Sequence, residues 1–279
     1  MKKVMIAGIA IFIIFFISGT LSWFMHDKEK YKNLKYTQSY DANEIKSLSI
    51  KASGGVHIKQ GKQFKVKYYS DNKVTMHKYK GTLRVMQTKS SNRGYSVNVN
   101  PFRTINYMIE IEVPSKMLKH LTIDARNNKL IIDGIQSAET TIYKGVDSIN
   151  ITNCHFDNAE INGDNYYMNI NNSKMRSSRF KVDSGGFNIE NSQMNDSIFL
   201  ANQGDIRFED MPRQSNLKAA TKNGDINFAY KRKPKNTLLK LHPGHGKSVV
   251  TQSAFKEGKV GISHNILEFY TTDGDIIIQ

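Results

Sequence analysis

The sequence predicts an all-β fold: a β-solenoid, parallel β-helix-like, with about 19 residues per coil, after one N-terminal transmembrane helix. Three observations predict it. Apolar residues recur in columns 19 positions apart, they alternate with polar residues at a period of two, and the first 25 residues differ in composition from all that follow.

The apolar start comes first. After Met1-Lys2-Lys3, the run Val4 to Met25 holds 22 residues without a charge. At ~1.5 Å per helical residue it spans roughly 33 Å, enough for a ~30 Å hydrocarbon layer. Trp23 and Phe24 stand at its outer end, where amphipathic rings favour the interface. A cleaved signal peptide has a shorter apolar region followed by a small-x-small site. The one such stretch, Ser18-Gly19-Thr20, is followed by further apolar residues, and no Cys lies near for lipid attachment. Residues 1–25 are therefore expected to be a retained signal anchor, and residues 26–39 a polar juxtamembrane linker. Lys2 and Lys3 before a long polar body favour a single-pass protein of the cell membrane with its C-terminal domain extracellular. The bias is small, because "HDKEKYKNLK" beyond the span carries four Lys against two acids.

The net charge of +15 is uneven. Residues 26–120 hold 19 Lys/Arg and 7 Asp/Glu, whereas residues 121–279 hold 19 and 18. A basic collar follows the anchor. Solvated Lys on an exposed β surface explains it, as does attraction to anionic lipid headgroups or wall polymers. An extracellular address excludes nucleic acid as the partner. The single cysteine, Cys154, cannot form an internal disulfide.

The repeat carries the fold. Ile123, Ile142, Ile161, Phe180 and Phe199 step by 19, as do Ile132, Ile151, Ile170, Ile189 and Phe208, with Phe228 after a step of 20. Leu130, Ile149, Met168, Phe187, Ile206 and Ile226 run two residues ahead of the second series, and Phe156, Met175 and Met194 form a third column. Within a coil, Phe187 and Ile189 flank Asn188, which is strand alternation. Coils stacked at ~4.8 Å place equivalent residues above one another, so seven or eight coils would extend roughly 35–40 Å. Asn153, Asn172 and Asn191 follow the second strand at the same step. Asn tolerates left-handed backbone and stacks its amides from coil to coil. Gly163, Gly186, Gly204, Gly224 and Gly274 mark the opposite corner, where positive φ is expected.

Later coils are less regular. Leu239, Leu241 and Val249 are the inward candidates of "LLKLHPGHGKSVV", and Ile276 and Ile278 are expected on a short last strand that limits the exposed edge. Residues 40–117 are also strand-rich. Leu48, Ile50, Val56, Ile58, Phe64 and Val66 alternate, and "YMIEIEVP" alternates at Tyr107, Ile109, Ile111 and Val113 before Pro114 ends the strand. "GGVHI" (Gly54 to Ile58) echoes "GGFNI" (Gly185 to Ile189), which suggests the same plan in a distorted form. A soft boundary is expected near 115–120, with solenoid repeats over 118–279.

"SGGVHI", "IEIEVPS" and the repeated "GDI" at Gly204, Gly224 and Gly274 resemble a bacterial adhesin-like family of unknown function built of β-strand repeats. The resemblance covers about residues 40–279. It implies a right-handed solenoid and an anchored or secreted envelope protein, in some members linked to envelope-stress regulation. It supplies no catalytic residues. The expected function is a non-enzymatic surface scaffold or adhesin-like interaction module. The alternative is a regulatory sensor acting through an envelope-stress membrane protein.

Other motifs in the chain lack the partners their chemistry needs. "GHGKS" (Gly244 to Ser248) lacks the Gly a phosphate loop needs at Leu241, and "VVTQS" reads as strand where a helix should follow. His242 and His245 have no third ligand nearby, so no metal or cofactor is expected. Asp205, Asp225 and Asp275 recur at one corner, which repeat geometry explains more simply than glycan cleavage. Cys154 is expected to be a small buried or corner residue. The densest basic cluster, Lys231, Arg232, Lys233 and Lys235 around Pro234, has two readings: an exposed loop between coils, or a docking point for phosphate-rich polymers or anionic lipids.

Overall fold

The computed structural model describes residues 2–22, 24–25, 35–69, 73–88, 108–125 and 129–279. Trp23, residues 26–34 of the expected linker and Tyr107 lie outside the described residues. The chain divides into two compact units, Met1–Lys35 and Tyr36–Gln279. The first contains the helix Lys2–Ser22, whose 21 residues are long and apolar enough to cross a membrane.

The second unit is a stack of parallel coils. Each coil lays one strand on a first ladder, turns a corner, and lays another strand on a second ladder. On the first, Ile123, Ile142, Ile161, Phe180 and Phe199 lie in register. On the second, Ile132, Ile151, Ile170, Ile189, Phe208 and Phe228 do the same. All of these side chains are buried, so the 19-residue spacing is the coil length. Phe156, Met175 and Met194 form the third buried column. The step of 20 from Phe208 to Phe228 is absorbed by register shifts after Asn195 and after Phe208. Rings dominate the later coils. Phe180 stacks on Phe199 at 4.6 Å, and Phe199 meets Phe208 edge-on at 5.2 Å.

The front section is the same solenoid. Leu48 and Ile50 lie on Leu121 and Ile123, and Val56 and Ile58 lie on Leu130 and Ile132. The soft boundary expected near 115–120 therefore falls inside one continuous core. The expected linker also ends early, because Lys35–Tyr40 is already a strand.

Both ends of the stack fold back, which the sequence reading missed. At the front, strands Thr82–Thr88 and Ile109–Pro114 lie outside the coil formed by Ser47–Ala52 and Val56–Gly61. Antiparallel partners cover that edge: Lys73–Tyr79 on Thr82–Thr88, and Phe64–Tyr69 on Ile109–Pro114. At the other end, strands Asn265–Asp273 and Ile276–Ile278 insert between the coil of residues 216–230 and that of residues 237–250. Ile276–Ile278 is thus not the exposed edge that was expected; Ser248–Val250 covers it. Val249 pairs with the outward Ile277 and Val250 with the inward Ile278, but both valines are exposed, so the expected inward Val249 is not part of the core. With both fold-backs the first ladder's column runs Val85, Ile50, Ile123, Ile142, Ile161, Phe180, Phe199, Ala219, Phe269, Leu241. That is ten layers among the described residues, more than the seven or eight expected.

Candidate functional site

The corners show what the polar residues of the repeat do. Asn153, Asn172 and Asn191 have φ of 54°, 49° and 44°, left-handed as expected. Asn153 Nδ2 donates to Asp133 Oδ1 at 3.0 Å, and Asn191 Nδ2 donates to Asn172 Oδ1. The opposite corner is a glycine stack. Gly204 and Gly224 have φ of 138° and 150°, and a Cβ on Gly224 would stand 2.3 Å from Gly204 O. No side chain fits where one backbone lies directly on the next. Gly163 and Gly186 depart from the expectation, since neither adopts positive φ. Their crowding is what excludes a side chain: a Cβ would stand 2.2 Å from Lys144 O at Gly163 and 2.5 Å from Asp205 O at Gly186.

The acids beside the glycines are structural. Asp225 N donates to Asp205 Oδ1 at 3.0 Å, Asp275 N to Asp225 Oδ1 at 2.8 Å, and Lys247 N to Asp275 Oδ1 at 2.8 Å. Each carboxylate therefore accepts the backbone of the next layer, and "GHGKS" completes that ladder before entering strand Ser248–Val250. The two histidines face different partners. The His242 ring stacks on Tyr270 at 4.4 Å, whereas His245 Nδ1 lies 2.7 Å from Asp273 Oδ1.

Cys154 is buried and belongs to a column the sequence reading missed. Ser173 and Ser192 follow it at the repeat step. Ser173 Oγ donates to Asn171 O and Ser192 Oγ to Glu190 O, and Cys154 Sγ sits 3.2 Å from Thr152 O in the same slot. Burial pushes its thiol up to about 12. A second missed residue is Lys144, 3% exposed in an inward column between Ala125 and Gly163. Burial lowers its pKa, with the nearby Asp147 charge opposing. The break in an otherwise small or apolar column is a signal the sequence carried.

The basic loop lies between strands Ile226–Tyr230 and Thr237–Pro243. Lys231, Arg232, Lys233 and Lys235 are all exposed around buried Pro234. Backbone bonds hold the loop on the preceding corner: Lys231 N donates to Met211 O at 2.9 Å and Lys235 N to Arg213 O at 3.0 Å. Arg213 Nε donates to Lys233 O at 2.9 Å, which brings a fifth cation from one layer below. The four predicted cations are not equivalent. Lys231 Nζ donates to Asn191 Oδ1 at 3.0 Å and ends the Asn ladder. In the collar, several Lys are paired: Lys67 and Lys65 with Glu112, Lys59 with Glu110, Lys78 with Glu44. The hydrogen bond from Lys67 holds the Glu112 carboxyl below its ordinary range.

Stacked parallel coils, Asn and Asp ladders between layers and fold-backs at both ends define a β-solenoid repeat protein with an apolar helix at its N-terminus. The chain belongs to the Toastrack DUF4097 family, whose model matches residues 45–279. Two solved structures are similar to it. A candidate cell adhesion protein from Clostridium sporogenes shares 13% identity, with 88% of this chain and 99% of that one covered and a TM-score of 0.28. A candidate adhesin from Bacteroides fragilis shares 12%, with 88% and 97% covered and a TM-score of 0.35. No protein of curated function matches the chain.

Proposed function

We propose that the chain is a non-enzymatic scaffold of the cell envelope, held in the membrane by the helix Lys2–Ser22, with its solenoid outside the cell. It docks an anionic wall polymer or lipid headgroups through the basic loop. The exposure of Arg232, Lys233 and Lys235, on a loop fixed by backbone bonds beside Arg213, carries this reading. Near an anionic surface each such cation contributes about 1 kcal/mol. A loop already held in place loses little entropy on binding. The non-enzymatic reading is supported by Asp205, Asp225 and Asp275, whose carboxylates are occupied as ladder acceptors.

The test is retention of the full-length chain by purified wall polymer and by anionic vesicles. Retention on one of the two is expected to fall steeply with salt, and to fall about a hundredfold or more when Arg232, Lys233 and Lys235 are all changed to Ser. Salt-independent retention, or none on either, contradicts the proposal. The competing role of sensor predicts instead co-purification with a membrane protein through residues 1–40, with the basic loop dispensable.

A further inference from the structure

We propose that Tyr167 and the two hollows beside it form a binding site for a neutral glycan strand. The inference rests on the reading that the solenoid faces the envelope, and it adds a second ligand class at a second place. Tyr167 is 68% exposed, although the rings of the neighbouring columns fill the core. Its neighbours along the stack are small: Ser148 lies in register one layer below and Gly186 one layer above. Both sides of the ring are therefore left open.

One hollow, of about 290 Å³, runs from Tyr167 over Gly186 to Asp205 and Arg207, with the amides of Asn169 and Asn188 alongside. The other, of about 450 Å³, is bordered by Asp147, Ser148, Asn165 and Ser184. Each is at the small end of ligand sites, suited to one ring rather than a large molecule.

The chemistry matches a sugar. A pyranose offers one face of C–H bonds, which packs on the negative face of an aromatic ring, and a rim of hydroxyls that both donate and accept. Asn188 offers both functions, and Asn169, whose Nδ2 donates to Asn150 Oδ1 at 2.9 Å, offers its oxygen as acceptor. Arg207 Nη2 lies 2.7 Å from Asp205 Oδ2, so that pair adds donors and acceptors with little net charge. Asp147 on the far side leaves the site without the positive excess a phosphate polymer needs. A peptide strand is disfavoured for another reason. The coils carrying Ser148, Tyr167 and Gly186 are paired on both sides, so no strand edge is open for backbone addition.

The experiment titrates the full-length chain in detergent micelles with the N-acetylglucosamine tetramer, followed by calorimetry. The chain is expected to bind it saturably and with little salt dependence. Tyr167→Ala should weaken binding about tenfold or more while Tyr167→Phe stays close to the unchanged protein, because the ring rather than the hydroxyl does the stacking. Because Tyr167 is exposed, both variants should melt as the unchanged chain does. The Arg232, Lys233, Lys235→Ser variant should bind the tetramer normally. No saturable binding, or equal binding by Tyr167→Ala, overturns the proposal. If the tetramer fails while salt-dependent retention on wall polymer or vesicles persists, this site falls alone. If that retention fails too, the surface reading falls with it.

Discussion

At the scale of single residues, position in the repeat explains chemistry that residue type alone does not. Cys154 sits where Ser173 and Ser192 sit in the following coils, and its sulfur takes the place of their hydroxyls. Two outcomes are expected. The native thiol should resist alkylation at pH 8 and react once the chain is unfolded, as mass spectrometry would show. Cys154→Ser should change stability by less than about 1 kcal/mol, because the slot already suits a hydroxyl. The linkage has a definite sign. With the folded thiol at about 12 against an ordinary 9.0, the native state keeps its proton where the unfolded chain loses it. That contribution is present below about pH 9 and is lost as pH rises toward about 12, so Cys154→Ser should flatten the alkaline side of a pH–stability curve. Asn172, at φ 49°, gives a second prediction. Asn172→Ala should cost about 1–2 kcal/mol and Asn172→Gly less, since only the first places a disfavoured Cβ in left-handed backbone. Asn at this corner was legible from its spacing. The roles of Ser173 and Ser192 were not, because their bonds to Asn171 O and Glu190 O depend on the local path of the backbone.

At the scale of the coil, the buried columns hold neighbouring turns together. Ile151→Ala leaves a hole between Ile132 and Ile170 and should cost about 2–5 kcal/mol by denaturant titration. The columns from Ile123 to Phe228 were legible because each coil buries the same positions at a nearly constant step. The fold-backs were not, because pairing at the ends is set by which edges meet in space. Thr221 pairs with Thr271 across the whole intervening segment. One clue was present. "GDI" occurs at Gly204, Gly224 and Gly274 but not at Gly244, and the three motifs that match are direct neighbours through Asp205, Asp225 and Asp275. This order has a testable result. Deleting residues 265–279 removes an interior layer, so residues 237–264 should lose their seat and become protease-sensitive together. A chain stacked in simple sequence order would lose only its last coil.

At the scale of the whole molecule, the apolar helix and the β body belong to different compact units, Met1–Lys35 and Tyr36–Gln279. The basic loop was legible as composition. The division of labour between Lys231 and its neighbours, and the arrival of Arg213, required the stack, because both depend on residues one or more layers away. Protease shaving of intact cells should release peptides from residues 41–279 if the body is outside, and their absence would contradict the proposed topology. The stack itself is tested most directly by a distance. Spin labels at residues 57 and 227, in a Cys154→Ser background, occupy one outward column through Ile131, Asn150, Asn169, Asn188 and Arg207. Pulsed electron paramagnetic resonance should give one narrow distance near ~29 Å, from six layers at ~4.8 Å each. A broad distribution, or a distance beyond about 40 Å, would show that the coils do not lie in register.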